Sequence, residues 1–553
     1  MRSTLTLLLM TVLGTRAAAQ SRFYVDDTAN GANDGTSWTD AFTDLQSAIA
    51  AASDGSEIWV ATGTYRPSPI GDRTAAFWPG PGQKLYGGFA GIETALDQRA
   101  GLFDQTVLSG DLAGDDGPDF AHRSDNTEHI LTFEFGTFGA TLDGFTIRGG
   151  HAAQSVGGGA WYFDGFGDPR ALNCTFEDND ARGGGGAVWV GNYSGSSFEA
   201  CTFLGNRAGA GGAAYRQQPG GKGYLDFSRC RFLGNLATGT GGGAFAGSWA
   251  GFSDSLFSGN RADGTSQGGG AILASVYIVR CTVYGNQALG GPLVGGIRGL
   301  AVPTACILWG NRDDRGTIAE AQYRNDYHGW TQVDECCIQG WSPDLGGGRV
   351  LSGDPEFVDP LGADGVLGTR DDDLRLGRLS PCIDALRLMN YTTVDLDGAP
   401  RQHESRSCAE GILDLGAYER QWLGEPPTFC PATASSLGLP AWIDARCLFH
   451  LGGGAIDVYV APVPDGSGVL LLGSARTLEP FGNGFRCLGG RVYPSRTHPT
   501  HGGTLHFRFD PAHFPGAEIA GGSTWNLQAI YRDPAAGGAR VNASEAIAVT
   551  ILP

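Results

Sequence analysis

Lysine is almost missing from this chain: Lys84 and Lys222 are the only two in 553 residues. Lys and Arg together number 38 against 58 Asp and Glu, a formal charge of −20. The basic patch that follows a phosphate backbone is therefore absent, which argues against nucleic acid and against an anionic membrane surface as partners. After residue 19 no run is apolar for the roughly 18 residues a spanning helix needs, so no transmembrane segment is expected. His-Glu-x-x-His, the P-loop and Gly-x-Ser-x-Gly do not occur, and no two cysteine pairs have zinc-ribbon spacing. His498 and His501 form a lone pair in the turn-rich stretch 494–503, expected as exposed loop.

What is abundant is glycine, 90 residues or about 16% against a usual 7% or so. It has no three-residue period, which excludes collagen. Hydrophobic residues at 41% and aromatics at 10% exclude a disordered linker. The remaining class is a folded, loop-rich, all-β chain. Residues 1–19 read as a secretory signal, with Arg2, an apolar run from Leu5 to Leu13 and Ala17-Ala18-Ala19 before Gln20. A secreted, extracellular or cell-surface location is expected.

An internal repeat sets the fold. Six segments share the frame Cys/Ser, any, apolar, any, Gly/Asp, Asn, namely 174–179, 201–206, 230–235, 255–260, 281–286 and 306–311, starting 25 to 29 residues apart. Gly-Gly-Ala punctuation separates them. In each, the Cys and the apolar residue two later share one strand face, with a mostly polar residue between. A unit this short has no core of its own, so neighbours must stack, which gives a parallel β-solenoid with rungs about 4.8 Å apart. Asn179, Asn206, Asn235, Asn260, Asn286 and Asn311 then align at one turn as a structural ladder. Asp44 to Ser53 reads as a capping helix with Asp44 as N-cap, followed by a strand from Glu57 to Tyr65.

These residues resemble the secreted right-handed parallel β-helix proteins of the pectin-lyase-like superfamily. The Gly-Gly-Ala and Phe-x-x-Asn punctuation (Gly184–Ala187 and Phe203–Asn206) is similar to the polymorphic outer membrane protein repeat of bacterial surface adhesins. Tyr86–Phe89, Asp354–Pro360, Ser380–Ala385 and Asp414–Glu419 look like bacterial β-helix surface proteins. The resemblance implies a right-handed coil over roughly residues 22–420 and a surface role. No membrane-barrel translocator follows the repeats, which departs from the adhesins. After Pro426-Pro427 the pattern becomes short alternating strands, at 456–460, 469–472, 504–509, 524–531 and 546–552, which suggests a small β-sandwich. The expected organisation is signal peptide 1–19, β-helix 20–425 and β-sandwich 426–553.

Twelve cysteines divide into classes. Cys174, Cys201, Cys230, Cys281 and Cys306 occupy the repeated inward slot that Ser255 also fills, so they are expected as buried free thiols. Cys382 with Cys408 is the expected disulfide, worth about 3–4 kcal/mol by loop closure. At most one pair forms among Cys430, Cys447 and Cys487.

Enzymes of the resembled superfamily cut acidic polysaccharides with carboxylates or Asp-bound Ca²⁺ on adjacent rungs. Counting from each Gly-Gly-Ala, the row expected outside is Trp161, Val188, Ala214, Phe245 and Ile272, which holds no carboxylate and no base. The residues before each Cys (Asn173, Ala200, Arg229, Asp254, Arg280) are expected outside too, with surface ion pairing. Sugar rings stack on aromatic faces, so Trp161, Phe245, Trp249 and Tyr193 are the glycan-binding candidates, while Tyr162, Trp189 and Tyr215 are read as core. Asp359, Asp364, Asp371, Asp372 and Asp373, spaced by glycines, are candidate Ca²⁺ ligands in a loop that departs from the EF-hand frame. No catalytic residue and no required cofactor are assigned. The reading is a non-catalytic surface interaction or adhesion protein contacting extracellular or envelope polysaccharide. The alternatives are a polysaccharide lyase or glycoside hydrolase, and a structural envelope spacer.

Overall fold

The computed structural model describes residues 22–550 apart from 100, 155, 192, 218–222, 265–267, 292, 327–332, 378–379, 384, 387–393, 402–412, 421–428, 447–455, 502 and 511–512. The signal segment, Cys408 with its pairing, Cys447 and the expected 425/426 boundary lie outside the described residues. Two compact units are present. The first holds residues up to 374 with 396–398 and 415–418; the second holds 375–395, 399–414 and 419–553.

The first unit is a right-handed parallel β-helix of about ten turns. Its capping helix spans Leu45–Ala51, with Asp44 Oδ1 accepting the Ser47 amide at 2.8 Å and Leu45, Ala48 and Ile49 buried. Each central turn carries three main strand positions. The front position follows Gly-Gly-Ala (Trp161–Phe163, Val188–Val190, Ala214–Arg216). The side position precedes the Cys (Arg170–Leu172, Ser196–Glu199, Leu225–Ser228). The Cys position follows it (Thr175–Glu177, Thr202–Leu204, Arg231–Leu233). Two later strands, Phe245–Ser253 and Ile272–Val279, run through front and side without a break.

The period-two pattern places its apolar residues inside, in register. Phe176, Phe203, Phe232 and Phe257 stack face to face at 5.0, 4.8 and 4.7 Å. Phe198, Phe227 and Phe252 form a second column at 5.1 and 5.0 Å. Such pairs add roughly 0.5–1.5 kcal/mol each beyond area burial. The Asn ladder forms as expected: each Nδ2 donates to the next Oδ1, from Asn179 to Asn311, at 2.8–3.1 Å. Gln322 Oε1 receives the last amide at 2.9 Å and ends the ladder. Glycines at φ of 59° to 67° turn the chain just before Asn206, Asn235, Asn260, Asn286 and Asn311. The inward cysteines are buried free thiols, and burial pushes the thiols of Cys174, Cys201, Cys281 and Cys336 up.

The residues before each Cys line a surface row only in part: Asn173, Ala200 and Arg229 are half-buried, with Arg229 paired to exposed Glu199, whereas Asp254, Arg280 and Ala305 are buried. Asn173, Ala200, Arg229, Asp254, Arg280 and Ala305 each adopt the left-handed region and make the corner between side and Cys strands. Asp254 and Arg280 are buried and paired at 2.8 and 2.9 Å, not solvent-screened as expected. Nearby, Gly416 N donates to Ala305 O and Ala417 N to Thr282 Oγ1, so residues 415–418 cross this corner.

The second unit contains an antiparallel β-sandwich of eight strands, from Trp442–Arg446 to Val541–Thr550, around Val458, Leu470, Leu472, Phe507, Leu527 and Tyr531. Cys430 and Cys487 form its disulfide. His498–His501, expected as loop, is a strand, and the His498 ring meets Phe507 edge-on at 5.0 Å.

Candidate functional site

The front strands reverse the expected parity. Trp161 and Phe245 are completely buried and pack on the Phe columns, so neither is a surface contact. The cause is a local break in alternation. In successive turns both the Ala of Gly-Gly-Ala and the next residue donate to one carbonyl: Ala160 and Trp161 to Ala187 O, Ala187 and Val188 to Ala213 O, Ala244 and Phe245 to Ala271 O. Two consecutive residues therefore point inward, as at a bulge.

The outward row is instead Thr132, Tyr162, Trp189, Tyr215, Ala246, Leu273 and Arg298. Tyr162 stacks on Trp189 at 4.9 Å and on His129 at 4.5 Å. Glycine makes room for these rings: a Cβ on Gly184 would stand 2.4 Å from the Tyr215 ring. Beyond Tyr215 the small side chains Ala246, Ser248, Ala274 and Ser275 leave a groove of about 640 Å³. Its far end is polar, with Arg298 paired to Asp326 at 2.8 Å and Arg324 to the same carboxylate at 3.2 Å.

The longest exposed feature is the corner where front passes into side. Phe135 and Phe138, then Phe166, Tyr193, Tyr224, Trp249 and Leu300 stand at this corner in successive turns, with Tyr277 slightly further into the side strand. Each is between 47% and 82% exposed. Phe166 lies 6.1 Å from Phe135 and 5.3 Å from Phe138. Backbone bonds tie the ridge together: Gly136 N to Phe166 O at 2.6 Å, Ser196 N to Tyr224 O at 3.0 Å, Val276 N to Leu300 O at 3.0 Å. Buried Arg216 donates to the carbonyls of Trp249, at 2.6 Å, and Gly223. Trp249 sits at φ 57° where the register shifts between Ser248 and Ala250, a bulge that turns its indole outward. Of the sequence candidates, Tyr193 and Trp249 belong to this ridge. Phe135, Phe138, Phe166, Tyr224 and Tyr277 were missed, because no repeated motif marks them.

Carboxylates accompany the ridge. Glu134, Asp164, Asp168 and Glu199 are exposed and Asp226 is half-buried. Glu199 is paired with Arg229 at 2.5 Å, and Asp168 Oδ1 accepts the Gly139 amide at 2.7 Å. The side-chain carboxylates of Glu134, Asp164 and Asp226 make no hydrogen bond or ion pair with a described residue. A Cβ on Gly191 would meet Asp164 Oδ1 at 2.0 Å, and one on Gly251 would meet Tyr224 Oη at 2.4 Å and Asp226 Oδ1 at 2.7 Å. Each carboxylate thus lies over a glycine of the next turn. Burial, then the nearby Glu199 charge, pushes the Asp226 carboxyl up. Burial, Asp226 and Tyr277 raise the Tyr224 phenol.

On the short strands after the Asn ladder, His151, Asp180 and Arg207 stand in register, with His151 3.0 Å from Asp180 and Arg207 bidentate at 2.9 and 3.0 Å. A depression of about 370 Å³ lies beside them. Burial would raise the Asp180 carboxyl, but His151 and Arg207 outweigh it and hold it down at about 2.

The candidate Ca²⁺ run does not converge. Asp364 Oδ1 caps Val366 N at 2.7 Å, Asp371 takes Asp364 N and Thr369 Oγ1, and Asp372 takes Gly368 N and Ser258 Oγ. Asp359 and Asp373 lie on strands. Among the described residues, the carboxylates whose oxygens converge within 4.8 Å are Asp111, Asp115 and Asp125.

Residues 254–275, about one turn of the coil and containing ladder Asn260, match the Chlamydia polymorphic membrane protein repeat. A pectate lyase, Pel9A, is similar in structure at 14% identity and TM-score 0.39, covering 73% of this chain and 97% of its own. The tailspike protein gp49 of Acinetobacter baumannii bacteriophage Fri1, a capsular polysaccharide depolymerase, is similar at 9% identity and TM-score 0.26, covering 92% and 82%. No curated protein matches the chain. No helix among the described residues is long and apolar enough to cross a membrane.

Proposed function

We propose that this is a secreted or cell-surface glycan-binding protein, acting in adhesion or surface interaction without catalysis, whose ligand lies along the corner ridge. The observation that carries this reading is one exposed aromatic or apolar side chain per turn at the same corner, from Phe135 to Leu300. Exposed apolar side chains aligned from turn to turn, unlike singly scattered ones, mark an interaction surface. Aromatic faces suit the apolar faces of pyranose rings, and rungs about 4.8 Å apart form a linear track suited to a polymer. The polar ends of Tyr193, Tyr224, Tyr277 and Trp249 and the flanking carboxylates supply partners for sugar hydroxyls. The reading calls for no cofactor.

The test is retention on a panel of soluble and insoluble polysaccharides, with and without Ca²⁺, followed together with released products by mass spectrometry. Wild type is retained without products, and the triple variant Phe166→Ala, Tyr193→Ala, Trp249→Ala is not. Equal retention of the two proteins overturns the reading.

Cleavage of the bound chain is the second reading, favoured by Asp226. A carboxyl without a described partner, pushed up by burial and by Glu199, has the character of a proton donor, with Glu199 on the neighbouring rung as the second carboxylate. Shortened oligosaccharides that disappear in Asp226→Asn would establish it.

A further inference from the structure

Resting on the ridge as the glycan surface, we infer that its ligand carries protonated amino groups, so that amino-sugar polymers, not uronate polymers, are the class it selects. Two features of the same surface point to a cation. The first is the acidic line beside the aromatics: Glu134, Asp164, Asp168, Glu199 and Asp226. Three of these, Glu134, Asp164 and Asp226, have their charge uncompensated by any described residue. The described cations along this line are Lys84 and Arg170, both in register with Thr141, Arg229, which is held by Glu199, and Arg216, which is buried and bonds the Trp249 and Gly223 carbonyls. Three carboxylates on this line, Glu134, Asp164 and Asp226, form no ion pair with a described residue, which disfavours an anionic group and favours a cationic one at those positions.

The second feature is the interleaving. Asp164 lies between Phe166 of its own turn and Gly191, two residues before Tyr193 of the next. Asp226 lies between Tyr224 and Tyr277, over the glycine whose missing Cβ leaves space at the carboxylate. An ammonium in either position meets a carboxylate and the electron-rich face of an aromatic ring together. The sugar ring carrying it stacks on the neighbouring aromatic. Charge and stacking are thus satisfied by one ligand, a pyranose with an amino substituent.

The test is isothermal calorimetry of the full chain with three hexasaccharides in mildly acidic buffer: a fully deacetylated β-1,4-glucosamine hexamer, its N-acetylated counterpart, and a hexagalacturonate. The deacetylated hexamer should bind about tenfold more tightly than the acetylated one and the galacturonate least. Asp164→Asn and Asp226→Asn should each weaken the deacetylated hexamer by about two- to fivefold more than the acetylated one, the value of an ion pair near the surface. Added salt should erode that preference. Equal or tighter binding of the acetylated hexamer or the galacturonate overturns the amino-sugar inference while leaving the ridge as a glycan surface. A lysine hexapeptide bound as tightly as the glucosamine hexamer also overturns it, because charge alone would then suffice. Loss of the ridge reading is distinct: the Phe166, Tyr193, Trp249 triple variant would bind all three sugars as wild type does.

Discussion

Asn260 donates its side-chain amide to the Asn286 carbonyl oxygen at 2.8 Å, while its own backbone N–H donates to that same oxygen at 2.9 Å. The one acceptor serves two donors, and Asn260 Nδ2 also reaches Phe232 O at 2.9 Å. Each rung is therefore bonded to both neighbours through a single completely buried side chain.

Replacing Asn260 with Ala leaves at least two buried backbone and side-chain groups without partners. A loss of about 2–5 kcal/mol is expected, from roughly 1–3 kcal/mol per unsatisfied group. Thermal unfolding of the variant measures it, and Asn260→Asp should not rescue it fully, because a carboxylate cannot donate along the ladder.

Two tryptophans should behave oppositely. Trp161→Ala empties a site inside the coil and should cost about 3–5 kcal/mol. Trp249→Ala removes an exposed indole and should change stability by about 0.5 kcal/mol or less, while weakening glycan retention. Paired melting curves and retention assays separate the two.

The Asp180 cluster gives a pH-dependent contribution. Its carboxyl is lowered in the folded chain, from 3.8 to about 2, so its stabilisation is present above 3.8 and lost as pH falls towards 2. Asp180→Asn should lower Tm by a constant amount at neutral and mildly acidic pH, and the gap to wild type should close between 3.8 and about 2.

Cys430 and Cys487 close a loop of 57 residues. On the chain-entropy estimate this contributes about 4 kcal/mol to the unit that contains it. Cys487→Ser should lower the calorimetric transition of the sandwich, and peptide mapping of the non-reduced wild type should recover this pair.

The repeat could be read without coordinates because stacking makes one local choice recur. An Asn at each turn, a small residue in the Cys slot and an apolar residue two later are demanded by every rung, so the period appears in the residues themselves. Register and the Asn ladder followed from it, while the capping helix and the sandwich strands were legible from their own helical and alternating patterns. The parity of the front strands did not, because paired donation to one carbonyl at each Ala breaks the alternation on which counting relies. Trp161 and Tyr162 exchange places for that reason. The ridge was hidden for a different one. Its residues sit in connections of unequal length, such as 134–140, 164–169 and the single bulged Trp249, so they share no spacing from any motif. Only winding of the chain into a coil brings Phe166, Tyr193, Tyr224 and Trp249 to one corner. The repeat dictates that the chain coils and what holds each rung to the next; which side chains face water, and in what line, depends on where each connection turns once the coil is wound.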